Sequence, residues 1–116
     1  MSIISTKSNN QPFSPPITNI TNVNSSDTII VETYDGSNNP LVKWNVSIID
    51  TVTLQTYAFD ISAIHDFTNN VTFNRTNIVG SKMDLDIIGS YGAGNIINLS
   101  VTNNEASTIK IFSKKI

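Results

Sequence analysis

Hydrophobic and polar residues alternate along most of the chain after residue 27, which is the pattern of strands with one buried face. The clearest example is the segment 41–49, where every second residue from Val42 to Ile48 is large and apolar and the residues between them are polar. Because only one face of such a strand is buried, the pattern predicts antiparallel pairing.

The same period of two recurs along the rest of the chain, in segments that are bounded by Gly, Asn, Asp and Ser, the residues that favour turns. The further predicted strands are 28–34, 52–61, 71–73, 78–79, 83–88, 95–101 and 108–113. Seven or eight short strands at this spacing predict a single antiparallel β-sandwich or small barrel.

The connections between these strands are predicted from the residues that interrupt the alternation. The strand over 52–61 is expected to carry a bulge between Leu54 and Tyr57, where the alternation slips. Residues 62–70 are predicted to form a loop. The polar stretch 103–107, between two alternating segments, predicts a hairpin at the C-terminal end.

Residues 1–27 differ from the rest of the chain, because they hold three of its four prolines and few large apolar residues. Proline lacks the amide donor that a central strand needs, so this segment is predicted to be an extended arm outside the main sheets. The β-sandwich domain is then 28–116. Two interpretations of the arm remain open, a disordered tail or a docking arm whose anchors on a partner are Phe13, Ile17 and Ile20.

Composition agrees with the alternation. Ile, Val and Thr, which are branched at Cβ and suit a pleated sheet, fill 39 of 116 positions, whereas Ala and Leu, which favour helices, fill only 8. The sequence therefore predicts an all-β protein.

Charge and cysteine content exclude several functional classes. The chain carries 7 Lys and Arg against 9 Asp and Glu, with a single arginine and no large basic cluster, which argues against nucleic-acid binding. No apolar run approaches the length of a membrane span. The absence of cysteine removes disulfides, thiol catalysis and Cys-ligated metals.

The residues that could carry chemistry are few. His65 is the only histidine, and no Gly-x-Ser-x-Gly motif marks an activated serine that it could serve. Asp84 and Asp86 share one face of a predicted strand, where a solvated face is the simpler interpretation than a metal or acid–base pair. The sequence thus predicts no catalytic residue, no cofactor and no metal, and hence a protein that is not an enzyme.

One loop is a candidate for contact with a ligand or receptor. Gly89, Gly92 and Gly94 predict a mobile loop that exposes Tyr91, and an exposed tyrosine can stack on a sugar or contact a partner. Asn38 and Asn39, in the turn before the strand 41–49, are the other candidates in this group.

The C-terminal part of the chain resembles small all-β virion proteins of tailed bacteriophages, namely capsid decoration proteins, head fibres and fibre-tip domains. The stretches that carry the resemblance are MDLDIIG at 83–89, GNIINLSVT at 94–102 and STIKIF at 107–112. Such domains often end in a strand, a Gly-rich or short polar turn, and a closing strand that begins with Thr-Ile. An aromatic residue commonly follows that pair, whereas Lys110 stands here.

The resemblance implies a structural, non-enzymatic, multimeric protein located in the virion. Its expected partners are copies of itself, such as in a trimer, and other virion proteins, either the major capsid protein or fibre and tail proteins, with no nucleic acid and no membrane. The alternative from the residues is a carbohydrate-binding or adhesin module, secreted or at a cell surface. A receptor-binding tip would combine the two interpretations.

Overall fold

The computed structural model describes residues 17–116, and eight β-strands and no helix are found within that range. The strands are β1 Asn19–Val23, β2 Thr28–Asp35, β3 Leu41–Asp50, β4 Thr56–His65, β5 Val71–Gly80, β6 Leu85–Gly92, β7 Ile96–Asn103 and β8 Ile109–Lys115.

The strands form two antiparallel sheets that enclose one hydrophobic core. One sheet has five strands in the order β1-β8-β3-β4-β5, and the other has three in the order β2-β7-β6. The predicted inward face of β3 is confirmed, since Val42, Trp44, Val46 and Ile48 are all buried in this core. The prediction of an all-β, antiparallel, sandwich-like domain is likewise confirmed.

The first strand corrects the description of the N-terminal arm. Residues 1–27 were expected to lie outside the main sheets, but β1 pairs antiparallel with β8 over its whole length, from Asn19 opposite Ser113 to Val23 opposite Ile109. The physical reason is that the prolines end at residue 16, after which the backbone N–H groups of β1 are available to pair with β8 and the side chain of Val23 is completely buried. Phe13 lies outside the described residues.

The turn between β3 and β4 displaces the next strand from its predicted position. The carboxylate of Asp50 accepts the backbone N–H groups of Val52 at 2.8 Å and Thr53 at 3.0 Å, so the chain turns over residues 51–55. Consequently β4 begins at Thr56 and not at residue 52.

The predicted bulge and the predicted loop 62–70 are also wrong in position. The register of β4 against β5 shifts between Ala58 and Asp60, rather than between Leu54 and Tyr57. The loop after β4 is only 66–70, because β4 continues to His65, and the two short strands predicted at 71–73 and 78–79 form the single strand β5.

The predicted C-terminal hairpin does not form, because β7 and β8 lie in opposite sheets. Asn103, at the end of β7, has a completely buried side chain whose Nδ2 donates to the carbonyl oxygens of Val23 and Ser107, both at 2.9 Å. Ser107 also donates to the carboxylate of Asp50 at 2.9 Å. These bonds satisfy the polar groups of a connection that crosses the edge of the sandwich.

Candidate functional site

The residues predicted as a ligand-binding loop lie at one end of the sandwich, but they do not form an exposed loop. Tyr91 is half-buried in β6, its ring centroid lies 5.6 Å from that of His65, and its hydroxyl donates to Asn95. Gly89 and Gly92 are also in β6, so the prediction of a mobile loop with an exposed Tyr91 is wrong. The ring of Tyr91 therefore packs beside His65 at this end of the sandwich.

Asn38 and Asn39 are exposed in the turn between β2 and β3, as their sequence positions indicate. The Oδ1 atom of Asn39 accepts the backbone N–H of Leu41 at 3.1 Å, a bond that shapes the turn. Asn39 also borders a small pocket of about 230 Å³ with Tyr34, Lys43 and Lys115.

His65 is buried and both of its ring nitrogens bond to the backbone. Nε2 lies 2.9 Å from the carbonyl oxygen of Gly36, and Nδ1 lies 3.0 Å from the backbone nitrogen of Phe67. Since the Phe67 N–H donates to Nδ1, the proton of the neutral ring sits on Nε2 and is donated to Gly36. A side chain at residue 36 would meet this ring, because a Cβ added to Gly36 would lie 2.5 Å from Nε2.

The exposed carboxylates of two turns bond to their own neighbours. Asp66 accepts from the hydroxyl of Thr68 at 2.6 Å and from Nδ2 of Asn70 at 2.9 Å, and these bonds hold its pKa well below the ordinary value. A hydrogen bond from the Ser37 hydroxyl lowers the pKa of Asp35 in the same way. Both carboxylates stabilise turns.

Asp84 and Asp86, the pair considered for metal or acid–base chemistry, are exposed. Asp86 accepts a hydrogen bond from Nδ2 of Asn104 at 3.1 Å. Within residues 17–116, no group of three or more His, Asp or Glu side chains could hold a metal ion. The described part of the chain also contains no helix that is long and apolar enough to cross a membrane.

A groove of about 640 Å³ crosses the outer face of the five-stranded sheet. The strand register places one row of side chains across this face, because paired residues of neighbouring strands point to the same side. In order, the row is Ile20, Phe112, Ser47, Ala58 and Val79. The small residues Ser47 and Ala58 lie between the larger Phe112 and Val79, and this difference in size makes the groove.

This surface, hereafter the outer groove, leaves apolar side chains in contact with solvent. Ile20 is 61% exposed and Val79 is 66% exposed, and the next row adds the half-buried Ile49 beside Lys110. The predicted anchors Ile17 and Ile20 thus differ in place: Ile17 is exposed ahead of β1, and Ile20 stands at one end of the outer-groove row. Phe13 is outside the described residues.

A second pocket, of about 470 Å³, lies beside β5 and contains the only arginine of the chain. Nη1 of Arg75 donates to the hydroxyl of Tyr57 at 3.1 Å, and its guanidinium lies over the ring of Phe59 at 5.5 Å from the ring centroid. The other lining residues are Phe73, Asn74, Ile78 and Lys82. This surface is called the Arg75 pocket below.

Neither surface was found by sequence reasoning. The alternation of β3, β4 and β8 identifies which residues point outward, but not that the small outward residues of two strands lie side by side. Arg75 was noted only as a single basic residue. Because β5 was predicted as two short strands on either side of it, its contact with Tyr57 could not be predicted. The one available signal was a lone arginine between two short apolar stretches.

No family model matches the sequence, and no match to a curated protein was found. Among solved structures, the chain is similar to the tailspike protein of Acinetobacter phage vB_ApiP_P1, with a TM-score of 0.46 and 8% sequence identity. The similar region covers 88% of this chain and 21% of the tailspike chain, so the chain spans about a fifth of that protein.

Proposed function

We propose that this chain is a non-enzymatic structural protein of a virus or phage particle. In this proposal it is a capsid decoration, head-fibre or tail-fibre component that assembles with copies of itself and with other virion proteins. The assembly role is inferred from the outer groove. The resemblance of the C-terminal stretches 83–89, 94–102 and 107–112 to phage virion domains is the reason for placing that assembly in a virion.

The outer groove supports assembly because it gathers apolar side chains from neighbouring strands on one solvent-facing surface, interrupted in the row only by the small Ser47. Single exposed apolar residues are ordinary on a protein surface, whereas contiguous patches mark interaction sites. Ile20, Phe112 and Val79 belong to three different strands, yet the register aligns them across one face. A partner that covered this row would remove all of them from water at once.

The N-terminal arm supports the same proposal, since it enters the sheet beside the outer groove. Among residues 17–116, β1 is one of the two edge strands of the five-stranded sheet, and its Ile20 belongs to the groove row. The arm before it contains Phe13, the largest apolar side chain of residues 1–16. We propose that Phe13 and Ile17 add contacts with the partner that covers the outer groove.

The test is the molar mass of the full chain in solution, measured by light scattering over a range of concentrations. We expect a trimer or higher oligomer for the unchanged chain. Val79→Ser, which removes an exposed apolar contact from the groove, is expected to weaken assembly, and Phe13→Ser to do the same through the arm. A full chain that is monomeric at every concentration would show that self-assembly is wrong.

Two matched variants control for a general loss of hydrophobic surface. Ile30 is 55% exposed on the outer face of the three-stranded sheet, and Phe67 is 52% exposed in the loop after β4. Ile30→Ser and Phe67→Ser should leave the molar mass unchanged. If they weaken assembly as much as Val79→Ser and Phe13→Ser do, the interface is not at the outer groove and arm. Deletion of residues 1–27 is unsuitable, because it would remove β1 and the buried Val23.

A further inference from the structure

We propose that the Arg75 pocket binds a carboxylated sugar, whose carboxylate pairs with Arg75 and whose ring packs on Phe73. This proposal is independent of the assembly role, because Arg75 lies on the opposite face of the five-stranded sheet from the outer groove. The register establishes the two faces: Arg75 is opposite the buried Ile61, whereas Val79 is opposite Ala58 in the groove row.

The charge of the pocket favours an anion. Its lining residues include two basic ones, Arg75 and Lys82, and no Asp or Glu. A planar guanidinium binds carboxylates through two parallel hydrogen bonds, which gives it a preference for that group over a single-point anion. An anionic ligand would therefore supply the charge that the lining lacks.

The side chain of Arg75 is held by two contacts within the chain itself. Its guanidinium lies over the ring of Phe59 and donates one hydrogen bond to the hydroxyl of Tyr57. Both aromatic side chains are buried in the core. An arginine held in this way loses little freedom when it binds, which reduces the entropic cost of association.

Tyr57 provides a second polar group at the same site. Its side chain is 3% exposed, and its hydroxyl is the acceptor in the bond with Arg75. The hydroxyl proton therefore remains to be donated, and within residues 17–116 Arg75 is the only hydrogen-bond partner of this oxygen. A buried donor without an acceptor is costly, and a ligand oxygen in the pocket would satisfy it.

The apolar part of the pocket favours a sugar as the carrier of the carboxylate. Phe73 and Ile78 line the pocket beside the charged groups, and an aromatic ring is a suitable surface for the apolar face of a pyranose. Gly89 permits this position of Phe73, because a Cβ at residue 89 would lie 3.1 Å from the Phe73 ring. The volume of about 470 Å³ lies within the range of small-molecule pockets.

The experiment uses the full chain and a pair of ligands with the same sugar backbone, one with free carboxylates and one with methyl-esterified carboxyl groups. A galacturonic acid oligosaccharide is titrated by calorimetry at low salt, and its fully methyl-esterified form serves as the uncharged ligand. We expect binding of the acid and none of the ester. An equal affinity for both, or no binding of the acid, would overturn the proposal.

Variants then locate the site. Arg75→Gln should weaken binding at least about tenfold, since hydrogen bonds to charged groups are worth about 1.5–3 kcal/mol. Arg75→Lys keeps the charge but not the paired donors, and should also weaken it, as should Tyr57→Phe, which removes only the hydroxyl. Lys114→Gln removes one positive charge from an exposed position outside the pocket, and should have no effect. If it weakens binding as much as Arg75→Gln does, the attraction is unspecific charge.

The remaining alternative source of the carboxylate is an acidic peptide along the outer edge of β5, which pairs with no further strand within residues 17–116. A glutamate-rich peptide is therefore titrated in parallel. Tighter binding of the peptide than of the galacturonic acid oligosaccharide would overturn the sugar proposal in favour of peptide recognition. Circular dichroism and the thermal midpoint of each variant check that the fold is unchanged.

Discussion

The strands β3 and β5 belong to the same sheet and both contain ten residues, but they are buried very differently. In β3 every second residue is buried, from Val42 to Asp50. In β5 no residue is buried, and the last five, from Thr76 to Gly80, are all exposed. β3 has six large apolar residues and β5 has four, yet none of the four in β5 is buried, so composition alone does not explain the difference.

The difference comes from the unequal size of the two sheets. Three strands cannot cover five, and β3 lies at the centre of the larger sheet while β5 lies at its edge. Only the first part of β5 is covered, where Val71 and Phe73 approach Gly89 of β6. The rest of its inner face extends past the core, and it is there that Arg75 and Ile78 border an open pocket. Coverage by the opposite sheet, more than local pattern, decides which strand stabilises the fold.

The largest expected effect is that of a substitution in β3, the strand that the opposite sheet covers. Trp44 is 1% exposed at the centre of β3, and Trp44→Ala would remove its contacts and leave a cavity between the sheets. We expect the free energy of unfolding to fall by about 3–5 kcal/mol, as for other large-to-alanine changes in cores. Urea denaturation followed by fluorescence is unsuitable without the tryptophan, so circular dichroism is the measurement. A loss below about 1 kcal/mol, which is the average loss for point substitutions in general, would contradict this packing.

The sequence was sufficient to predict β3 and insufficient to predict β5, for one physical reason. A strand whose inner face is covered must alternate strictly, so that 41–49 could be identified by its period of two. An edge strand that extends past the core is under no such constraint. The polar Asn74, Arg75 and Asn77 therefore interrupt the apolar residues of β5, and the strand was divided into two short pieces.

The second prediction concerns a covered polar group, the side chain of Asn103. Asn103→Ala would remove the side-chain donor from the carbonyl oxygens of Val23 and Ser107, and the Oδ1 acceptor that the backbone N–H of Glu105 has at 2.9 Å. We expect a loss of about 2–3 kcal/mol, the cost of unsatisfied polar groups in a buried position. The measurement is again chemical denaturation.

Asn104→Ala is the matched control for Asn103→Ala. Asn104 follows it directly, is exposed, and donates its side-chain amide to Asp86 on the surface. A similar loss in both variants would mean that the burial of Asn103 does not matter, and that the crossing from β7 to β8 is held by other contacts.

The same crossing shows why the connections were harder to predict than the strands. The stretch 103–107 has the length and polarity of a hairpin loop, and nothing local distinguishes a hairpin from a crossing between sheets. The bonds that decide the outcome are formed with Val23 and with Asp50, residues that are distant in the sequence. The same reason applies to Tyr91, which contacts His65, and to Arg75, which contacts Tyr57. Both contacts depend on strand pairing that cannot be read from the local sequence.

The smallest expected effect returns to β5. Ile78 is 57% exposed beside the Arg75 pocket, so Ile78→Ser should change the free energy of unfolding by no more than about 0.5 kcal/mol. Ile48→Ser, at a buried position of β3, makes the same chemical change and should cost several times more, because it buries a hydroxyl and leaves a cavity. Denaturation of both variants is measured at low and at high protein concentration. The two measurements distinguish cover of Ile78 by the chain itself from cover by a second copy. A cost for Ile78→Ser at both concentrations would mean that the chain itself covers this face. A cost at high concentration alone would mean that a second copy covers it, and the comparison between β3 and β5 would then describe the free chain but not the assembly.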